Sequence, residues 1–217
     1  MRYGLLLIIL IVTYLLSASY SSYWIGVAQL VLFTATGLLA LRNSPLGGHL
    51  GRLIVAGSLI GSAIMVVFTV LLLHRSPVGL GIASLWTGLL LMMTVVLIVL
   101  QILALPVVTL QSICGALSAY LIIGLMFASF YAAMWHLSGT AFFAPGELRH
   151  GQVPNTTIFQ YFSFTTLTTL GYGDFTAATN AGRAVAVLEA VAGQIFLATL
   201  VARLVAAFRT PAEHPAG

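Results

Sequence analysis

The chain has 217 residues, 60% of them hydrophobic and only 6% charged, with 8 Lys or Arg against 4 Asp or Glu for a formal net charge of +4. A soluble domain carries roughly a quarter charged residues, so this balance, with a mean hydropathy of +1.10, excludes a soluble globular protein and indicates an integral membrane one. The basic pI of 9.6 calls for no nucleic-acid partner, because arginines between apolar runs read as topological and interfacial anchors.

A helical span needs about 20 apolar residues, and the chain offers six such stretches. The expected fold is therefore all-α, with six transmembrane helices and no room for a soluble domain. The first stretch covers 3–16, with Arg2 ahead of it and Ser17-Ala18-Ser19 behind. A signal peptide has the same pattern, and its cleavage would remove one span. The second, 24–41, ends at Arg42-Asn43-Ser44-Pro45, and the third, 53–73, ends at His74-Arg75-Ser76-Pro77. Both polar clusters with proline read as turns. Gly57 and Gly61 form a GxxxG pair of the kind that lets two helices approach closely. The fourth stretch, 85–105, is interrupted by Thr87, Gly88, Thr94 and Gln101, contains no arginine, and is closed by Pro106.

The fifth stretch is 112–137, with Cys114 near its start as a small buried hydrophobe. One Cys per chain excludes an intrachain disulfide. His136 and His150 flank the segment 138–154, either as solvated side chains or as sensors of external pH. Pro154-Asn155-Thr156-Thr157 is a helix-start signature. The helix it opens is too short to cross a bilayer and runs into irregular backbone, which membranes tolerate only when it is buried in protein or lines a water-filled cavity. It reads as a re-entrant helix whose carboxyl end, near Thr168, carries partial negative charge. The sixth stretch starts near Asn180, a plausible N-cap, and runs to about Phe208. Gly193 inside it costs about 1 kcal/mol in a helix, to be offset by bending or by close packing. Glu189 lies one turn earlier, and an intramembrane carboxylate is a candidate functional residue by default. Its expected role is a structural hydrogen bond toward the short helix and its threonines, the alternative being a place in a polar pathway.

Between the short helix and the sixth stretch runs Thr165-Thr166-Leu167-Thr168-Thr169-Leu170-Gly171-Tyr172-Gly173-Asp174. Glycine at alternate positions lets a backbone take the positive φ that ordinary L-residues resist, so that successive carbonyls turn the same way. The core, Thr169 to Gly173, resembles the TVGYG filter signature of potassium channels, where backbone carbonyls replace the hydration shell of the ion; that mechanism is implied by the resemblance. With 158–174 and the run Leu188-Glu189-Ala190-Val191-Ala192-Gly193-Gln194, about the last hundred residues look like the ion-channel family that carries a two-helix pore module.

The resemblance implies K+ sites at the carbonyls of Thr169, Leu170, Gly171 and Tyr172, with the Thr169 hydroxyl innermost and Gly173 completing the filter. It makes Asp174, Tyr161, Thr165 and Thr168 filter supports, Gly193 a possible gating hinge, and Gln194, Leu197 and Val201 possible cavity-lining residues. The spacing of those three puts them on one helical face. K+ would be a permeant ion and no cofactor is implied. One filter loop per chain implies a homotetramer, since a closed ring needs several copies. The departure is Leu170, where valine is usual, which alters packing behind the filter.

The implied organisation is a four-helix region at 1–106, a pore domain at 107–210 and a short cytoplasmic tail at 211–217, with no appended regulatory domain. The subunit would be a multi-pass protein of the plasma membrane with both termini cytoplasmic. Arg2, Arg42, Arg52, Arg203 and Arg209 would then be inside and Arg75, Arg149 and Arg183 outside, in modest agreement with the positive-inside rule. A charge crossing the membrane field is worth only about 2.3 kcal/mol per 100 mV, so a voltage sensor needs several arginines on one helix. The arginine-free fourth span argues against one. Within the class, the alternative is a poorly selective monovalent cation channel. Outside it, an intramembrane protease would need a nucleophilic serine and a histidine at helical depth, but His136 lies at a span end and no serine has a GxSxG-like setting.

Overall fold

The computed structural model describes residues 2–19, 57, 60–64, 67, 76–104, 108–144 and 154–207. The expected second and third spans fall outside the described residues except at 57, 60–64 and 67, which are helical. His150 and the segment 208–217 also lie outside them. Besides the helical residues at 57, 60–64 and 67, five helices have both ends among the described residues: α1 (Arg2–Ser19), α2 (Pro77–Ala104), α3 (Leu110–Ser138), α4 (Thr156–Leu167) and α5 (Asn180–Ala207). Of these, α2, α3 and α5 are long and apolar enough to cross a membrane, and α1 carries a shorter apolar run, Gly4–Leu15.

Local chemistry sets the helix ends. Ser76-Pro77, expected as a turn, instead opens α2 eight residues ahead of the expected start. Proline suits the first helical position, where its missing N–H has no intrahelical acceptor to lose, and Leu80 N–H closes the first turn on the Ser76 carbonyl at 3.1 Å. Thr109 caps α3 in a reciprocal box: its hydroxyl accepts from Ser112 N at 3.2 Å while its own N–H donates to Ser112 Oγ at 3.4 Å. The helix stops at Gly139, whose φ of 64° is left-handed and free of a Cβ penalty. α5 is capped one residue before the expected Asn180: the Thr179 hydroxyl takes the Gly182 N–H at 3.0 Å and its carbonyl the Arg183 N–H at 3.0 Å.

α3 is the hub, packed against α1, α2, α4 and α5. Toward one end, Leu6 and Leu10 of α1, Leu91 and Ile98 of α2, Ile122 and Leu125 of α3 and Leu167 of α4 share one buried cluster. Toward the other, Tyr131, Phe142, Phe143, Phe159 and Phe162 build an aromatic one. In that cluster the Phe142 and Phe143 rings meet edge-on at 5.0 Å, and Phe143 stacks on Phe159 at 5.4 Å. The segment after α3 pairs with the segment before α5 through Ala178 N to Phe142 O at 2.8 Å and Ala144 N to Thr176 O at 3.1 Å.

The two threonines that interrupt α2 are satisfied locally. The Thr87 and Thr94 hydroxyls each donate to the carbonyl four residues back, at 2.8 Å, which removes an unpaired donor from an apolar span. Of the GxxxG pair, Gly61 sits at a close approach between helices. A Cβ on Gly61 would lie 2.2 Å from the Trp86 ring, whereas one on Gly57 would meet nothing within 4 Å among the described residues. Gly61 therefore makes room for an indole.

Candidate functional site

α4 is positioned before it delivers the 169–173 segment. Asn155 caps it, its side chain accepting the Ile158 N–H at 3.0 Å, and Phe159 and Phe162 anchor one face in the aromatic cluster. At the other end the last carbonyls all find donors. Phe164 O accepts Thr168 N at 3.1 Å, and Thr166 O accepts Thr169 N at 2.9 Å. Thr165 O accepts both Leu170 N at 2.9 Å and Gly171 N at 3.1 Å. The Tyr120 hydroxyl of α3 donates to Leu167 O at 3.3 Å. The expected negative end of the re-entrant helix is thus no bare carboxyl terminus. Its carbonyls hold the following strand in place.

Beyond Thr168 the backbone alternates in hand. φ is positive at Thr169 (57°), Gly171 (52°) and Gly173 (79°). The two glycines were legible as such positions. Thr169 was not, since a β-branched residue there is a conformational outlier. Amides 169–171 turn back to α4, and no donor among the described residues meets the carbonyls of Thr169, Leu170, Gly171 or Tyr172. Most backbone carbonyls in folded proteins are paired, so four consecutive unpaired oxygens form a distinctive surface. The Thr169 hydroxyl donates to Thr168 O at 2.7 Å, leaving its lone pairs free.

Support comes from behind. The Tyr161 hydroxyl donates to Asp174 Oδ2 at 2.8 Å, and Asp174 Oδ1 accepts the Phe175 N–H at 3.1 Å. That hydrogen bond to Asp174 is the main reason the Tyr161 hydroxyl is pushed up to about 12. Tyr161 also lies parallel to Tyr172, with ring centroids 6.4 Å apart. Thr165 acts through its carbonyl; its hydroxyl goes to Phe162 O at 3.0 Å, as that of Thr168 goes to Phe164 O at 2.6 Å. Leu170 and Tyr172 are 55% and 67% exposed in the single chain.

On α5, a Cβ at Gly193 would lie 2.6 Å from the Leu167 carbonyl oxygen, which favours the close-packing reading of that glycine. Gln194 and Val201 are exposed and Leu197 is half-buried. Glu189 is fully buried, and Tyr131 Oη of α3 donates to its Oε2 at 2.6 Å. Ser163 Oγ of α4 lies 2.5 Å from Glu189 Oε1 and 2.6 Å from Gly124 O. The partner on α4 is a serine, not one of the expected threonines. Tyr131, Ser163 and Tyr120 were missed at the sequence level, where the one available signal was a lone carboxylate in an apolar run that had to find hydroxyls somewhere. Arg203, expected as an interfacial anchor, donates from Nη1 to Ile102 O at 2.6 Å near the end of α2.

Long apolar helices gathered around a short buried one, which ends in a ribbon of unpaired carbonyls, are the parts of a membrane pore wall. Residues 115–210, from early α3 past the end of α5, match the family model described as ion channel. The match supports passive ion conduction across a membrane by a channel. Curated proteins and solved structures gave no match to the chain.

Proposed function

We propose that the protein is a potassium-selective channel in which four copies of the chain set their 169–173 ribbons around a common axis. The observation that carries this reading is the alternation of positive φ at 169, 171 and 173, beside four carbonyls that no donor among the described residues meets. A dehydrating cation needs oxygens on all sides, and one ribbon supplies one oxygen per level, so a ring of ribbons completes each site. Thr169, Leu170, Gly171 and Tyr172 contribute carbonyls, and the Thr169 hydroxyl adds the innermost oxygen. Ions queue through these sites, and repulsion between neighbours speeds exit. Leu170 and Tyr172, largely bare on a single chain, are covered by the adjacent copy in this arrangement. The subunit has six spans, sits in the plasma membrane and keeps both termini in the cytoplasm, which puts Arg203 and the end of α2 at the inner face.

The test is ion flux from liposomes holding the purified full-length chain. Potassium flux well above sodium flux supports the proposal. Comparable fluxes replace it with a poorly selective cation channel, and no flux of either ion removes it.

A further inference from the structure

Glu189 lies where α3, α4 and α5 meet, and its partners are two hydroxyls, those of Tyr131 and Ser163. Among the described residues nothing cationic bonds to it. α3 contributes Tyr131, the Tyr120 hydroxyl on the same helix being engaged by the Leu167 carbonyl; α4 contributes Ser163, and the α4 sequence contains no Asp, Glu, Lys, Arg or His. On α5 itself, Arg183 is engaged with the Ala177 carbonyl at 2.9 Å.

The contacts can be counted in protons. Three close pairs link four groups: Tyr131 Oη to Glu189 Oε2 at 2.6 Å, Glu189 Oε1 to Ser163 Oγ at 2.5 Å, and Ser163 Oγ to Gly124 O at 2.6 Å. Each hydroxyl has one proton to give, and a backbone carbonyl has none. With Glu189 ionised, both hydroxyl protons turn to the carboxylate, and Ser163 Oγ faces Gly124 O with no proton between them. With a proton on Glu189 Oε1, every pair is filled. Glu189 donates to Ser163, Ser163 donates to Gly124 O, and Tyr131 donates to Glu189 Oε2. We infer that Glu189 is held as a neutral carboxylic acid, a positioning residue whose own proton completes the bracket joining the outer, pore and inner helices behind the filter. Burial points the same way, because an unpaired carboxylate in an apolar setting carries a large desolvation cost.

The bracket reaches the ion path through α4. Ser163 lies two residues before Thr165, whose carbonyl holds the Leu170 and Gly171 amides. Loss of the Glu189 proton would open the link from Ser163 to Gly124 and free that end of the helix to move.

The flux part of this inference rests on the proposed channel activity, whereas the protonation state can be read without it. Infrared difference spectra of the full-length protein in lipid, wild type against Glu189→Gln, should show a protonated carboxylic acid band at neutral pH that the variant lacks. A carboxylate band in its place overturns the inference whether or not the protein conducts. In liposomes, Glu189→Gln supplies an N–H for Ser163 and an oxygen for Tyr131, and should keep flux near the wild-type level. Glu189→Ala leaves buried hydroxyls unpaired, and should lower flux about tenfold or more. Equal impairment of both variants would mean that the charged form is required, and would also overturn it.

Discussion

Thr169 holds a left-handed φ of 57°, a conformation that costs a β-branched residue on the order of 1–3 kcal/mol and persists only where its surroundings enforce it. Here the enforcement comes from the Thr166 carbonyl on its amide and from its own hydroxyl on Thr168 O. Gly173 needs no such help. A Cβ there would meet nothing within 4 Å among the described residues, but φ is 79°, so Gly173→Ala is strained by conformation. The variant should assemble like the wild type yet lose potassium flux; flux comparable to wild type would count heavily against a carbonyl filter. At Tyr161, the hydrogen bond to Asp174 favours the neutral phenol, raising its titration from 10.0 to about 12. The bond therefore contributes fully below the ordinary value and is lost as pH rises through about 12. Difference absorbance between wild type and Tyr161→Phe should show tyrosinate forming only near that upper value.

The helices make their fit at two kinds of contact, backbone caps and close approaches. The caps were partly legible. Pro154-Asn155-Thr156 announced α4, and Asn155 is its cap, because a polar side chain after proline has few better uses. Ser76-Pro77 misled, since the same dipeptide serves a turn and a helix start equally well. Contacts across sequence were illegible for a plain reason: Tyr131 and Glu189 are 58 residues apart and Ser163 and Glu189 26, and periodicity carries no information at that range. Gly193 is the clearest case of close approach. Gly193→Ala should push a methyl into the Leu167 carbonyl and so shift the end of α4. Overpacking of this kind costs about 1–3 kcal/mol, to be read as a lowered melting temperature with reduced flux. A variant as stable and as conductive as wild type would restore the hinge reading.

At the scale of the whole molecule, burial is uneven. Half of the most apolar window of α3 is buried (50%), against 11% for α5, which leaves α5 with broad apolar faces bared along Val187, Val191 and Ile195. Lipid can cover an outer face, but the ribbon beside α5 presents polar carbonyls that lipid cannot satisfy. Both needs are met when copies of the chain close a ring. Native mass measurement of the purified protein should accordingly give four times the 23.0 kDa chain, and a monomer in lipid would contradict the shared pore. The membrane class was legible from composition, and the positive φ of Gly171 and Gly173 from one five-residue motif. The packing of α4 was not: part of it comes from α1, where Tyr14 meets Phe164 of α4 edge-on at 5.0 Å, in a part of the chain whose sequence is only generically apolar.

The central claim is that main-chain oxygens in the 169–172 ribbon replace the hydration shell of one particular cation. The most direct test is the reversal potential of channels formed by the full-length protein in a planar bilayer, with potassium on one side and sodium on the other. The account predicts a reversal potential displaced far toward the potassium equilibrium value. A reversal near zero, with robust current, would contradict it.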